Sequence, residues 1–234
     1  METTSIADHA FANCRTIQSI TLPDALTTIG DNAFHSCPQL LSPDFPPGLV
    51  TIGNHAFSSC FSIVDLILPD DLMTLGTQAF SDCPRLITYS ISPSNPHFQS
   101  LDGILFTNSL ETLILYPPAK LETTYRVPET VRSIGPFAFA KCDNLIGISL
   151  PEDLLSIEPS AFASCFALEQ LSLPQSITSI EDSTFDLCTS LSQINLPDTL
   201  TSIGNSAFAN CDSLTSISLP SNSYLNWKLN VQIL

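Results

Sequence analysis

The sequence predicts an α/β solenoid, a stack of coils that each give one short parallel strand and one short helical turn. Three observations carry this expectation. The eight cysteines fall at positions 14, 37, 60, 83, 142, 165, 188 and 211, so they lie 23 residues apart except for one gap of 59. Each has a Phe three residues earlier: Phe11, Phe34, Phe57, Phe80, Phe139, Phe162, Phe185 and Phe208. Five residues before each Phe stands Ile6, Ile29, Ile52, Leu75, Ile134, Ile157, Ile180 or Ile203. A fixed period of this length marks stacked units, because one unit cannot bury its own apolar face whereas neighbouring coils bury each other's.

Within the unit, the segment Ile-x-Leu alternates with period two and predicts a short strand. Residues 212–220, Asp-Ser-Leu-Thr-Ser-Ile-Ser-Leu-Pro, show it plainly. The Pro that follows (Pro23, Pro46, Pro69, Pro128, Pro151, Pro174, Pro197, Pro220) has no N–H for a ladder and ends the strand. An acid follows that Pro in five of eight repeats, which suits a turn. The next segment, Ile-Gly-x-x-Ala-Phe-x-x-Cys, has apolar spacings of three and four and predicts a short α or 3₁₀ turn with Ile, Ala, Phe and Cys inward. Stacked coils then form a parallel sheet with neighbours about 4.8 Å apart.

The 36 extra residues between Cys83 and Cys142 break the period once. Asp102-Gly103 is a turn signal, and Asn108-Ser109 separates two apolar runs, so an irregular coil with a β-hairpin is expected over 94–118. The expected organisation is one solenoid over 1–234. It comprises a repeat block 1–93, the insertion 94–118, a second block 119–220 and a capping strand over 221–234. Strict alternation through Trp227, Leu229, Val231 and Ile233 suggests that cap. The first coil, by contrast, starts in mid-repeat and is expected to be exposed.

The motif Leu-Pro-x-x-Leu-x-x-Ile-Gly-x-x-Ala-Phe-x-x-Cys, as in 196–211, resembles the 23-residue BspA-like class of leucine-rich repeats. The stretches Phe98–Phe106 and Thr112–Pro117 resemble the variant repeat that often interrupts such arrays. The resemblance implies a leucine-rich-repeat solenoid with its parallel sheet on the concave face and helical or 3₁₀ turns on the convex side. It implies surface or secreted proteins associated with adhesion and with binding extracellular host proteins, and it brings no catalytic residues. The chain departs from commoner leucine-rich repeats, whose Asn ladder follows the strand; here Pro stands near that position.

Composition narrows the partners. Charged residues are only 13%, and 23 acids against 7 bases give a net charge of −16. Such a surface repels phosphate backbones and anionic lipid, so neither nucleic acid nor membrane insertion is expected. Four of the seven bases (Lys120, Arg126, Arg132, Lys141) crowd into one 22-residue stretch. No run of 18 apolar residues predicts a membrane span, and the start has neither a basic n-region nor an apolar h-region. The compartment is therefore left open, with surface or secreted location implied by the resemblance alone.

No cofactor or metal is expected. The cysteines share one internal register and no Cys-x-x-Cys occurs, which suggests a buried ladder of reduced thiols rather than zinc ligands. Disulfides between adjacent coils would need their Cα atoms within about 7 Å and side chains that do not run parallel. His9 and His55 share a surface register, and paired acids such as Asp70-Asp71 and Glu152-Asp153 lie in turns. The better candidates are outward strand positions: Asp44, Asp65, Ile67, Thr88, Thr124, Arg126, Gln170, Gln193 and Asn195. They make a polar plate with few aromatics, a candidate protein-binding face together with the insertion. The alternatives are a spacer or intracellular scaffold and, less favoured, a hydrolase with an unrecognised carboxylate pair, which would need two acids within about 10 Å in one pocket.

Overall fold

The computed structural model describes residues 2–220, so the capping strand expected over 221–234 lies outside the described residues. Contacts group the chain into two compact units, residues 1–109 and residues 110 onward, and each is treated by itself. Both are parallel-strand solenoids of leucine-rich-repeat type.

In the first unit, two strand types alternate along the chain. Two-residue strands β1 (Ser5–Ile6), β2 (Thr28–Ile29) and β3 (Thr51–Ile52) pair in parallel, each with its equivalent 23 residues on. The same sheet continues to β5 (Thr74–Leu75). Between them runs the longer strand β4 (Asp65–Leu68), which pairs in parallel with β6 (Thr88–Ile91). The Ile of Ile-Gly, expected inside a helical turn, is thus the last residue of a second strand in each coil. Close packing at the following position explains the Gly: a Cβ on Gly53 or Gly76 would strike backbone of the preceding coil, at Asp31 or Asn54.

No α- or 3₁₀-helix forms among the described residues, which corrects the expectation of helical turns, and no helix there is long and apolar enough to cross a membrane. The reason lies in the backbone two residues before and two after each Phe. His9 and Asn13 hold φ of 58° and 62°, and Ser160 and Ser164 hold 58° and 60°. Left-handed residues at this spacing interrupt a right-handed helix. The amides then alternate. Ala10, Ala12 and Cys14 donate back three residues, whereas His9, Phe11 and Asn13 donate to the carbonyls of Asp31, Ala33 and His35 in the next coil. Half of these N–H groups therefore tie coil to coil, a role that i→i−4 bonding would have removed.

The core is a set of ladders. Phe11, Phe34, Phe57 and Phe80 stack with centroids 5.0–5.4 Å apart. Beside them Cys37, Cys60 and Cys83 each donate to the carbonyl of the Phe one coil back, as Cys60 Sγ to Phe34 O (3.2 Å) and Cys83 Sγ to Phe57 O (3.4 Å). Burial pushes the Cys60 thiol up to about 12, so it stays neutral at ordinary pH. All eight thiols are free, with Cys14 exposed and Cys211 half-buried. A second polar ladder follows the short strands. Asp8 Oδ1 accepts from Asp31 N (2.8 Å), Asp31 Oδ1 from Asn54 N (2.7 Å), and Asn54 Oδ1 from Thr77 N (2.8 Å). The side-chain ladder of a leucine-rich repeat is therefore present, one strand later than the Pro position suggested.

The insertion forms an antiparallel hairpin, β7 (Phe98–Leu101) and β8 (Ile104–Thr107). Its turn places Asp102 at φ 52° and Gly103 at φ 78°, the two left-handed residues that a two-residue hairpin needs. Asn95 anchors it. Its buried amide donates to Asp70 O (2.8 Å) and Leu72 O (2.9 Å), while Oδ1 accepts from His97 N and Phe98 N, both at 2.8 Å.

The second unit repeats the scheme. Strand β9 (Thr112–Leu115) pairs in parallel with β11 (Ser133–Ile134), and β11 with β13 (Ser156–Ile157). Strands β15 (Ser179–Ile180) and β17 (Ser202–Ile203) pair likewise. Thr112 and Tyr116, expected within the irregular insertion, thus open a regular coil, with Tyr116 packed 5.2 Å from Phe139 in the place of a stacked Phe. The longer strands are β10 (Thr124–Arg126), β12 (Gly147–Ser149), β14 (Gln170–Ser172) and β16 (Gln193–Asn195), one parallel four-stranded sheet.

Candidate functional site

The outward positions of the longer strands fall into two faces, one in each unit. In the first unit, β4 and β6 align Asp65 with Thr88 and Ile67 with Ser90. Ile67 is 69% exposed, far more than a large aliphatic side chain needs to be. Thr88 is half covered, because the hairpin turn lies against it: a Cβ on Gly103 would meet Thr88 Oγ1, and Tyr89 N donates to Gly103 O (2.9 Å). Asp44 is exposed but lies in no strand. Pro43 occupies the inward Ile position of its coil and has no N–H to give, so residues 42–44 do not join β4. Instead Ser42 Oγ accepts from Val64 N and Asp65 N, both at 3.3 Å.

The same coils carry further apolar side chains. Four residues after each Cys stand Leu41, Val64 and Ile87, in three successive coils; Leu41 and Ile87 are 56% and 47% exposed. Ile87 N donates to Val64 O (2.8 Å), which holds the row in register. Phe61 is exposed beside this row in sequence, just after Cys60. Of these side chains, Ile67 is among the outward strand positions expected from the sequence, whereas Leu41 and Ile87 are not. They precede the Ile-x-Leu alternation, so a period-two search does not reach them.

In the second unit, Thr124, Gly147, Gln170 and Gln193 align in one column across β10, β12, β14 and β16. Arg126 aligns with Ser149, and Ser172 with Asn195, in a second column. Together these columns floor a shallow depression of about 640 Å³. Gly147 makes room for it: a Cβ there would touch only Thr124 Cγ2, at 3.8 Å. Thr124, Gln170, Gln193 and Asn195 are thus brought together as one site, joined by Ser149, Ser172 and Gln175, which the sequence did not single out. Arg126 stands apart from that wall, because its guanidinium is paired with Glu129 Oε1 at 2.7 Å. Asn195 Nδ2 donates to Ser172 Oγ (2.8 Å), and Gln175 Oε1 accepts from Asp198 N (3.2 Å), so part of the wall is pinned.

Glu152 is the one carboxylate lining the depression, where a carboxylate pair would be needed. His35 Nδ1 lies 2.6 Å from Ser58 Oγ, but that hydroxyl is buried and donates to His55 O, so it is placed to lock two coils rather than to attack a substrate. No group of three His, Cys, Asp or Glu side chains among the described residues is placed to hold a metal. Around Lys120, a backbone hydrogen bond and the Lys120 ammonium (3.3 Å) hold the Glu122 carboxyl below its ordinary range.

The model of the BspA-type leucine-rich-repeat region matches residues 4–124 and 116–227, in six copies. Among solved structures, the pneumococcal vaccine antigen PcpA superposes with a TM-score of 0.82 at 32% identity, over 86% of this chain and 50% of that one. A leucine-rich cell surface protein of Faecalibacterium prausnitzii gives 0.62 at 27% identity, over 90% of this chain and 68% of that one. A leucine-rich-repeat protein of Eubacterium ventriosum gives 0.66 at 22% identity, over 93% and 77%, and speaks for the fold alone. The chain thus spans half the length of PcpA. No curated protein sequence matches it.

Proposed function

We propose that this chain, which belongs to the BspA-type leucine-rich-repeat family, is a non-enzymatic protein-binding and adhesion module. The observation that carries the reading is the face of the first unit. Leu41, Ile67 and Ile87 put exposed aliphatic side chains on three successive coils, with half-buried Val64 between them and the carboxylates of Asp44 and Asp65 alongside. Apolar groups gathered this way and edged by charge mark a surface that loses water to a partner. Scattered single exposures would need no such account. The acidic edge and the net charge of −16 favour a partner whose contact surface is apolar with basic residues around it. By similarity to the pneumococcal antigen and the Faecalibacterium surface protein, we place the module at a cell surface, facing extracellular or host protein.

The face suits this role because it is stiff. The bonds Leu41 N to Gln18 O (3.0 Å) and Ile87 N to Val64 O (2.8 Å), with the β4–β6 pairing, fix the backbone beneath Leu41, Ile67 and Ile87, so little ordering entropy is lost on binding. Of the nine residues expected at the binding face, Asp44, Asp65 and Ile67 belong to this row. Thr88 lies under the hairpin turn, which makes the hairpin a border of the face.

The test is biolayer interferometry against a defined set of extracellular-matrix and host surface proteins. Ile67→Asp should weaken the captured ligand at least about tenfold, the loss of one buried aliphatic contact. Its thermal midpoint should stay within a degree or two, because the side chain is exposed. Equal capture by wild type and Ile67→Asp, together with Leu41→Asp, would overturn the placement. Removing residues 94–118 is a poor probe, since it would take Asn95, Phe98, Phe106 and Tyr116 out of the core.

A further inference from the structure

We propose that the depression on the second unit's sheet is a binding site for a neutral, polyhydroxylated oligosaccharide. This goes beyond protein docking on the first unit and stands on other residues. Besides apolar residues such as Leu150 and Pro174 and the one carboxylate of Glu152, the lining is hydroxyls and amides, among them Thr124, Ser149, Gln170, Ser172, Gln193 and Asn195. Such groups both donate and accept, as sugar hydroxyls do, and none carries a charge to be desolvated. Thr124, Ser149 and Gln170 make no side-chain hydrogen bond among the described residues, so their capacity is open to a ligand. The pinned pair Asn195 and Ser172 supplies a fixed reference point beside them.

Other ligand classes fit worse. An anion meets Glu152 on the rim and a strongly acidic chain, while the nearest base, Arg126, is held by Glu129. A cation meets one carboxylate, too few to replace its water. A protein partner would seek aromatic or Arg anchors, and the lining holds neither. A pyranose chain, by contrast, needs a shallow polar bed in which its rings stay partly hydrated. Adjacent rows of the sheet lie about 4.8 Å apart, close to the length of one sugar unit in an extended chain. The volume of about 640 Å³ accommodates a short run of such units. Gly147 is the key residue, because its missing side chain opens the floor in the column Thr124–Gly147–Gln170–Gln193.

That Gly also supplies a clean test. It has no positive φ and its Cβ direction is free of backbone, so Gly147→Val fills the depression without strain and suits a strand. Binding is measured by saturation-transfer NMR with neutral tetrasaccharides of glucose, mannose and N-acetylglucosamine, on the full chain. We expect transfer to at least one of them, lost by about tenfold or more in Gly147→Val and reduced in Gln170→Ala. Thermal stability of Gly147→Val should be unchanged or slightly raised. Ile67→Asp, on the first unit, should leave sugar binding intact, which separates failure of this proposal from failure of the protein-binding one. No transfer from any neutral tetrasaccharide, equal binding by Gly147→Val, or preference for sulfated or sialylated sugars would each overturn it.

Discussion

The two units bury the same ladder and display different faces. In the first, Phe11 to Phe80 stack under a row that shows Leu41, Val64, Ile67 and Ile87. In the second, Phe139, Phe162, Phe185 and Phe208 stack just as closely, with centroids 5.0–5.4 Å apart, under a face of Thr, Gly, Ser, Gln and Asn. At the position four residues after Cys, aliphatic residues persist through Leu41, Val64 and Ile87, whereas the second unit moves from Ile146 to Glu169, Ser192 and Thr215. Core and face are thus independent variables in this architecture. The repeat fixes backbone and interior, and the outward positions are free to change chemistry coil by coil. One molecule can then offer one surface to an apolar, basic protein patch and another to a neutral sugar.

If the cores are equivalent, matched deletions must cost the same. Phe57 and Phe162 are both fully buried in the middle of a stack. Phe57→Ala and Phe162→Ala should each lose about 3–5 kcal/mol, from lost transfer energy, lost ring contacts and the cavity left behind. Urea unfolding measures both. A cost for Phe162→Ala less than half that for Phe57→Ala would break the equivalence and make one stack subordinate.

The next effect belongs to the first unit alone. Asn95 holds four hydrogen bonds with one buried amide, and the described residues of the second unit form no hairpin to anchor. Asn95→Ala orphans two carbonyls and two N–H groups, of which Leu72 O and Phe98 N are buried, for a cost of about 2–4 kcal/mol. Hydrogen exchange should accelerate in β7 and β8 and leave the amides of β12, β14 and β16 unchanged. Faster exchange in those three strands as well would show that the units do not open independently.

What the sequence disclosed and what it hid follow from this division. Residues that face inward repeat, so the period, the parallel stacking, the Cys ladder and the hairpin turn at Asp102-Gly103 were all legible. The second strand was not, because two residues such as Thr28-Ile29 are too few to show a period. The left-handed turn positions carry His, Asn, Ser, Gln, Asp, Phe, Lys and Leu rather than Gly, so no glycine signal marked them, and apolar spacing alone suggested a helix. The Asp8–Asp31–Asn54 ladder was hidden among the acids counted toward net charge. At the candidate faces, Ile67 and the Gln and Asn columns were visible as outward strand positions. The depression was not, since it arises from a residue with no side chain, Gly147, placed between Thr124 and Gln170. Nor could Thr88 be discounted before the hairpin turn was seen lying on it.

The smallest effect concerns why the first unit's sheet is the shorter one. Four longer strands join in the second unit, but β4 and β6 stand as a pair because Pro43 occupies the inward position of the preceding coil. Two terms oppose each other in Pro43→Val. The variant regains one N–H for the ladder, worth about 0.5–1.5 kcal/mol. It also frees the unfolded chain at that residue, which costs about 0.4–1 kcal/mol. The sum is close to zero or slightly stabilising, too small for a melting curve to decide. Hydrogen exchange can decide it, because a third strand would protect the amides of β4 severalfold whatever the net stability. Protection would show that Pro43 alone stops the sheet, and the exposed carboxylate of Asp44 would then be drawn into the row of Asp65 and Thr88. Unchanged exchange would assign the interruption to Phe45 as well, whose ring stands edge-on to Phe57 at 5.6 Å where the other coils place Leu, Ile or Val.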